Sequence, residues 1–294
     1  MIHYYVYMKL PQTTSWKSTQ LMSTKKYELN FYKDKDFKTV SLHSHDFYEL
    51  YYFVNGSATY IIESGHYKLL PGDVLIIPPK KLHQLDIYDS EQEYERIVLW
   101  LNPSYVKKLS TSKTNLAKAF VEVTENQNYL IRNANYSKTL FDVLTKLSAC
   151  SKSNDFGADI EEENVLKTLL ILLYKILVRG GFSKPETNET VKKVVDYIET
   201  HLGDKLTLDL LAEKAFVSKY YLAHVFKEET NTSPHKYILK RKLILAKELI
   251  EQGTPSNEVY EKCGFVDYTH FLRAFKLEYG MTPTEYKNIS KILN

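Results

Sequence analysis

The strongest constraint on the fold is an internal repeat in the C-terminal third of the sequence. The stretch 216–227 reads FVSKYYLAHVFK, and the stretch 265–276, at an offset of 49 residues, reads FVDYTHFLRAFK. The same offset relates the pairs Glu229/Glu278, Asn231/Gly280, Pro234/Pro283 and Tyr237/Tyr286. A repeat of this length indicates one supersecondary unit that the chain uses twice.

Each copy of the repeat predicts a helix, a tight turn and a second helix. In the first copy Thr207 precedes a short helix, and Ser218 is placed to cap the second helix. In the second copy Asp267 takes the place of Ser218. Helical periodicity predicts the buried face of each second helix as Tyr221, Leu222, Val225 and Phe226, and as His270, Phe271, Ala274 and Phe275.

The opposite faces of these second helices carry cationic, hydrogen-bonding and aromatic side chains. The candidate DNA-binding residues are Ser218, Lys219, Tyr220, His224 and Lys227 in the first copy and Asp267, Tyr268, Thr269, Arg273 and Lys276 in the second. A helix that enters the major groove needs polar groups for base edges and cations for phosphates. From residue 187 onward Lys and Arg barely outnumber Asp and Glu, so a protein-binding helical repeat is the alternative to DNA binding.

The two copies are joined by a longer predicted helix. Ser233 is placed to cap it, Pro234 is its first residue, and Gly253 ends it. After the second copy, Thr282 and Glu285 form a capping-box sequence that opens a final short helix. The region from Leu206 to Tyr286 is therefore predicted to hold two helix-turn-helix units on a rigid spacer.

A specific string of residues runs through the second copy: Cys263-Gly264-Phe265, Phe271, Phe275-Lys276 and Gly280-Met281-Thr282-Pro283. With its counterparts in the first copy, it resembles the DNA-binding domain of AraC-family transcription regulators over roughly the last third of the chain. The sequence departs from the family at Asn231, usually Gly, and at His224, where Arg is frequent. The resemblance implies promoter DNA and RNA polymerase as partners, and activation rather than repression.

Residues 27–101 are predicted to be β-structure. Short strands are predicted at 47–53, 58–62, 74–78 and 96–100, with hairpin turns at Asn55-Gly56 and at 64–66 and a tight turn at 71–73. Several short strands at this spacing suggest a sandwich or barrel.

Three histidines and one glutamate lie within this β-region. His43, His45 and Glu49 have equal parity and would share one face of a strand, and His83 would join them from another strand. Three imidazoles and a carboxylate suit a divalent transition metal. The pattern resembles the two cupin motifs, although Lys80 stands for the usual Gly and Ile87 for the usual Asn.

The resemblance implies a sensor domain, because AraC-family regulators commonly carry a cupin-like barrel that binds a small molecule without a metal. We therefore expect an effector pocket lined by His43, His45, Glu49, Tyr51 and His83, with no metal and no other cofactor. Family habit leans toward a carbohydrate effector and a catabolic operon. The alternative is a metal-dependent cupin enzyme fused to a DNA-binding module, whereas the regulator itself would not be an enzyme.

Residues 104–179 are predicted to be helical. The clearest segment is 160–178, with acids in its first turn and apolar residues recurring at 165, 166, 169, 172, 173, 176 and 177. Leu170 widens this stripe, so one face could pack on the barrel and the other on a second subunit; core packing alone is equally compatible. The Gly- and Pro-containing stretch 180–188 is predicted to be a flexible linker.

The whole sequence of 294 residues is long enough for two domains, and its net charge of +3 implies no particular partner. Cys150 and Cys263 are far apart, and the N-terminus lacks the features of a signal peptide, so we expect a cytoplasmic protein that binds no membrane. The prediction is an α+β multidomain homodimer: a jelly-roll barrel at 1–103, a helical dimerisation segment at 104–179, the linker at 180–188 and the DNA-binding domain at 189–294.

Overall fold

The computed structural model describes residues 20–37 and 39–293. The chain divides into two compact units, the first ending at Glu186 and the second beginning at Thr187. Among the described residues no helix is both long and apolar enough to span a lipid bilayer.

The first unit is built on two antiparallel β-sheets. Its strands are β1 Tyr27–Asp34, β2 Val40–His43, β3 Tyr48–Asn55, β4 Ala58–Ile62, β5 Gly65–Lys68, β6 Val74–Ile77, β7 His83–Ile87, β8 Tyr94–Leu101, β9 Leu130–Ile131, β10 Phe182–Ser183 and β11 Glu186–Thr187. The six-stranded sheet has the order β1-β8-β3-β6-β9-β10, and the five-stranded sheet has the order β11-β5-β4-β7-β2. This arrangement confirms the predicted cupin-like jelly-roll barrel.

The strands are rich in β-branched and aromatic residues, which fit a pleated and buried surface. The core of this unit includes the fully buried side chains of Phe53, Leu75 and Ile76. All four residues of β6 are buried, because this strand lies inside the six-stranded sheet between β3 and β9.

The predicted hairpin at Asn55-Gly56 is wrong. The strands on either side of it, β3 and β4, belong to different sheets, so this turn carries the chain across the barrel. Gly56 has φ +130°, and a Cβ added there would lie 2.9 Å from Cδ2 of Tyr94, so only glycine fits. The second predicted hairpin is confirmed: Ile62 pairs with Gly65, so a two-residue turn joins β4 and β5.

The helices of the first unit are α1 Pro103–Leu109, α2 Lys118–Glu125, α3 Ala134–Cys150 and α4 Ala158–Val178. The predicted helical segment also contains a strand, since β9 pairs with β6. The stretch predicted as a flexible linker contains β10 and β11, and Phe182 of β10 pairs with Ile131. These strands are two residues long and form only by pairing with neighbouring strands. They are too short to show the alternating pattern that predicts a strand from sequence.

Helix α4 packs against α2 and α3 within the first unit. Leu170, the residue that widens the predicted apolar stripe, is buried there at 1% exposure. Core packing therefore accounts for most of the stripe. Ile160, Ile171 and Val178 remain exposed on this helix.

The second unit is helical. It consists of α5 Glu189–Thr200, α6 Leu208–Ala215, α7 Lys219–Thr230, α8 Pro234–Glu251, α9 Ser256–Lys262, α10 Tyr268–Tyr279 and α11 Pro283–Leu293. Helices α6 and α7 form the first helix-turn-helix, and α9 and α10 form the second. The capping box of α11 is confirmed: the N–H of Thr282 donates to Oε2 of Glu285 at 2.7 Å, and the N–H of Glu285 donates to Oγ1 of Thr282 at 3.3 Å.

The predicted buried faces of α7 and α10 are correct except at one repeated position. Leu222 and Phe226 are fully buried on α7, but Tyr221 is 49% exposed. Its equivalent on α10, His270, is exposed as well. Both follow the helix cap by three residues and lie about 100° around the axis from the next, buried residue. The buried stripe is therefore narrower than predicted.

Candidate DNA interface and effector site

Helix α7 begins at a well-formed N-cap. The N–H of Tyr221 donates to Oγ of Ser218 at 3.2 Å. The left-handed residue Phe216 (φ 58°) turns the chain from α6 into this cap. The outward face then presents Tyr220, which is 79% exposed, and the exposed His224. The N-terminus of a helix carries a partial positive charge that favours a phosphate, and the projecting polar side chains can add hydrogen bonds to it.

Helix α10 repeats this geometry. The N–H of His270 donates to Oδ1 of Asp267 at 2.7 Å. Its outward side chains include Thr269, Arg273 and Lys276, all exposed. The ring of Tyr268 packs edge-on against Tyr260 of α9, with centroids 5.6 Å apart. The ten predicted DNA-binding residues thus fall on two equivalent helix faces.

The basic side chains of these faces differ in their pairing. Lys219 Nζ lies 3.3 Å from Oδ1 of Asp209 on α6, and His224 Nδ1 lies 3.0 Å from Oε2 of Glu228. Both pairs are exposed and therefore weak. Lys227, Arg273 and Lys276 form no ion pair with any other described residue, so their charges are available to a polyanion.

Tyr221 and His270, which the helical periodicity predicted to be buried, also lie on these faces. Tyr221 and His270 are exposed beside Tyr220 and Thr269 in the first turn of each helix. The signal was present in the repeat, because a polar histidine stands in the second copy where a tyrosine stands in the first. This exchange favours an exposed position, since a buried imidazole needs hydrogen-bond partners.

The predicted effector residues are all buried in the barrel. His45 lies in the turn between β2 and β3, Glu49 on β3 and His83 at the start of β7, and the exposure of each is 4% or less. One ligand atom from each of these three residues lies within 4.8 Å of the others. His43 stands beside them, its ring centroid 4.2 Å from that of His83.

Hydrogen bonds orient these imidazoles. The Nδ1–H groups of His43, His45 and His83 donate to the backbone carbonyl oxygens of Ser41, Phe47 and Lys81, at 2.9, 2.9 and 2.8 Å. Each Nε2 atom is thereby left for the interior. His45 Nε2 shares a proton with Glu49 Oε2 at 2.9 Å, whereas His83 Nε2 is buried with no hydrogen-bond partner among the described residues.

Burial lowers the pKa of His83 well below 6.5, and the neighbouring His43 and His45 lower it further. The imidazole is therefore neutral near pH 7, and its Nε2 carries a free lone pair. A buried lone pair with no protein donor is costly, because the atom loses its hydrogen bond to water; this makes His83 Nε2 a candidate ligand atom.

Lys80 shows how this chain keeps the shape of the second cupin motif without its usual glycine. Its backbone is left-handed, with φ 68°, and its N–H donates to the carbonyl of His45 at 2.7 Å. Lys80 thus adopts a strained backbone conformation, and its hydrogen bond connects the β6–β7 loop to the turn that contains His45.

The ring of Tyr60 contacts both Tyr51 and His83, with centroids 5.1 and 6.0 Å away. The hydroxyl of Tyr51 contacts that of Tyr94, and burial raises the pKa of Tyr51 well above 10. Arg96 lies behind them at 5% exposure: it donates to Oδ2 of Asp34 at 2.7 Å, and its guanidinium carbon lies 4.4 Å from the centroid of the Tyr94 ring. Side chains therefore fill this end of the barrel.

Replacing Arg96 by alanine should destabilise the first unit by about 3–5 kcal/mol, because it removes the buried guanidinium that pairs with the buried Asp34 carboxylate. Lys33→Ala, on the neighbouring strand β1, is the control. Lys33 pairs with Glu93 and Glu95 at 2.7 and 2.9 Å on the surface, and losing these pairs should cost about 1 kcal/mol or less. Chemical denaturation of both variants measures the difference, and equal losses would contradict the importance of the buried pair.

A cavity of about 430 Å³ lies on the opposite face of β3, beside the start of α3. It is lined in part by Tyr52, Gly72, Arg132 and Ser137. The Arg132 guanidinium is already engaged, since Nη2 donates to Oδ2 of Asp73 at 2.7 Å. None of the predicted effector residues lines it.

Both units match known families. Residues 31–170 match the AraC-like ligand binding domain, and residues 211–289 match a helix-turn-helix domain. The probable transcriptional regulator LumQ of Photobacterium leiognathi is 34% identical over 126 residues, which are 42% of this chain and 50% of LumQ. The chain thus matches about half the length of that relative.

A longer match is the HTH-type transcriptional activator RhaS of Salmonella heidelberg, 22% identical over 83% of this chain and 86% of that protein. Among solved structures, the C-terminal domain of AraT, a response regulator from Geobacillus stearothermophilus, is 30% identical and covers 35% of this chain and 86% of that one, with a TM-score of 0.34.

A ligand-binding barrel followed by a helix-turn-helix domain defines a DNA-binding transcription regulator with a small-molecule sensor. This chain belongs to the AraC family of such regulators. Its domains and relatives are those of transcriptional regulators and not of enzymes, so the alternative of a cupin enzyme has no support from them.

Proposed function

We propose that this regulator binds a bipartite promoter site through α7 and α10, which enter successive major grooves on one face of the DNA. The observation that carries the proposal is the equivalence of the two helix faces: each has a side-chain N-cap and the same register of exposed polar residues. The two half-sites would lie about one helical turn, or 10 base pairs, apart. RhaS is named an activator, which supports activation of transcription by this chain.

Selection of bound DNA from random sequence tests this proposal. The full-length protein should enrich a two-part motif, because each helix reads a few base pairs of its own groove. A variant with both Tyr220→Ala and Thr269→Ala should still fold, since both side chains are exposed, but should enrich a degenerate motif. Enrichment of an unchanged motif would contradict the assignment of the reading faces.

The barrel is the proposed effector site, with His43, His45, Glu49, Tyr51 and His83 as its candidate ligands. An effector alters DNA binding only if it binds one arrangement of the protein better than another. A homodimer that recruits RNA polymerase and responds to a carbohydrate would fit the family. The five side chains are nearly inaccessible, at 5% exposure or less, so a sugar would have to displace several of them.

A second candidate for the effector is a divalent transition-metal ion. His45, Glu49 and His83 fit this class of ligand, because their donor atoms converge, each imidazole is held through Nδ1, and the Nε2 lone pair of His83 has no partner. Bound there, a metal would replace the proton that His45 and Glu49 share. Its bonds to these two residues and to His83 would connect the β2–β3 turn, β3 and β7. It needs no large cavity.

A thermal-shift screen against sugars, sugar phosphates, aromatic acids and divalent metals separates these candidates. If the metal is the effector, Zn²⁺, Ni²⁺ or Mn²⁺ should raise the Tm of chelator-treated protein. His83→Ala should abolish the shift, whereas His235→Ala, at an exposed position on α8, should preserve it. A sugar-dependent shift lost in Glu49→Gln would favour the carbohydrate. A metal shift that survives His83→Ala would exclude this cluster as the metal site.

A further inference from the structure

Three consecutive cations lie near the middle of α8, the helix between the two helix-turn-helix units. Lys240, Arg241 and Lys242 are all mostly buried: the side chains of the first two are 14% and 11% exposed, and Lys242 is 7% exposed. Consecutive residues point about 100° apart around a helix axis. Three buried cations in a row therefore reach in three directions, and each needs a partner, since an unpaired buried charge is costly.

The partners lie on both sides of α8. Lys240 pairs with Glu278 on α10, in the second helix-turn-helix. Arg241 pairs with Glu199 on α5, which packs against α6 and α7 of the first. Charge-assisted hydrogen bonds, which are stronger than neutral ones, thereby hold helix α8 to both helix-turn-helix units.

The Nζ atom of Lys242 contacts the loop before the first helix-turn-helix and the turn of the second. It donates to the carbonyl oxygen of Gly264, in the turn of the second helix-turn-helix, at 2.7 Å. It also donates to the carbonyl oxygen of Asp204, in the loop that leads into α6, at 3.0 Å. Burial lowers the pKa of this lysine, while Cys263 and Asp204 raise it.

The two loops joined by Lys242 also touch directly. Gly264 is left-handed, with φ 66°, and a Cβ added there would lie 2.7 Å from the carbonyl oxygen of Gly203 and 2.8 Å from that of Asp204. Both distances are too short for a side chain. The ammonium group and the glycine thus bring the loop before α6 and the turn before α10 into one packed junction.

We propose that Lys242 is a positioning residue that fixes the separation and relative rotation of α7 and α10, and so the spacing of half-sites that the protein accepts. The Lys240–Glu278 pair is a second strut in the same device. The inference rests on the proposed reading of DNA by both helices. A rigid junction makes binding of the second half-site effectively intramolecular, and the advantage falls when the geometry no longer matches.

The test measures the affinity of the full-length protein for its bipartite site, for a single half-site, and for sites with one or two base pairs added between the halves. Wild type should prefer the bipartite site by about 100-fold and lose most of this preference on insertion. Lys242→Met, which removes both hydrogen bonds, should lower the preference about tenfold and flatten the spacing dependence, with half-site affinity unchanged. Lys242→Arg, which keeps a cation and its donors, should restore much of the preference.

Glu278→Gln is a milder variant, because it removes one partly exposed charge contact and leaves Lys242 in place. It should flatten the spacing dependence to a smaller degree. If Lys242→Met fails to fold and so loses half-site binding, the spacing dependence of Glu278→Gln tests the role of the junction instead. A folded variant with the wild-type spacing dependence would overturn the role of the junction alone. Equal affinity of wild type for the bipartite and single sites would overturn the two-helix proposal and this inference together.

Discussion

Phe275→Ala should strongly destabilise the DNA-binding unit and produce the largest loss of stability among the changes considered in that unit. Phe275 is fully buried, and its ring packs against those of Tyr279 and Phe271, with centroids 4.7 and 5.7 Å away. Truncating a buried phenylalanine to alanine costs about 3–5 kcal/mol. Since a whole domain is stable by only about 5–15 kcal/mol, DNA binding should be lost or become temperature-sensitive.

Leu277→Ala is the matched control on the same helix. Leu277 is 88% exposed, so its truncation should change the free energy of unfolding by about 0.5 kcal/mol or less. Chemical denaturation followed by circular dichroism compares the two variants. Similar losses from both would show that α10 does not bury the face described above.

Arg273→Ala and His224→Ala should weaken binding to the selected DNA site without loss of fold. Each side chain is exposed on one recognition helix, and losing a base or phosphate contact costs about 1–3 kcal/mol, or about 5- to 150-fold in affinity. The two residues lie on different helix-turn-helix units, so the losses should multiply in the double variant. Fluorescence anisotropy at moderate salt measures these affinities.

Lys193→Ala controls for the loss of one positive charge. Lys193 is exposed on α5, which belongs to neither helix-turn-helix, so its removal should leave affinity close to that of wild type. Unchanged affinity in the double variant, or an equal loss in Lys193→Ala, would show that DNA is bound elsewhere on this unit.

Much of the second unit could be predicted from sequence because its signals are local. The caps at Ser218 and Asp267, the end of α8 at Gly253 and the capping box at Thr282 each depend on a few neighbouring residues. The exposure of Tyr221 was harder to predict, since it depends on whether another helix covers the first turn of α7.

The barrel was less predictable because its strands depend on distant partners. The two residues of β9 form a strand only because β6 and β10 pair with them, and the turn at Gly56 joins strands of different sheets. The equal parity of His45 and Glu49 predicted correctly that they lie together, but the reason was incomplete. His45 is not in a strand; it lies in a turn, and its hydrogen bond to the carbonyl of Phe47 orients its ring. The free lone pair of His83 is visible only in three dimensions.

Hydroxyl-radical footprinting of the full-length protein on its selected DNA tests the central claim most directly. Two helices entering successive major grooves should protect two stretches on one face of the DNA, centred about 10 base pairs apart. His224→Ala should weaken one stretch and Arg273→Ala the other. A single protected stretch, or equal weakening of both stretches by each substitution, would contradict the account.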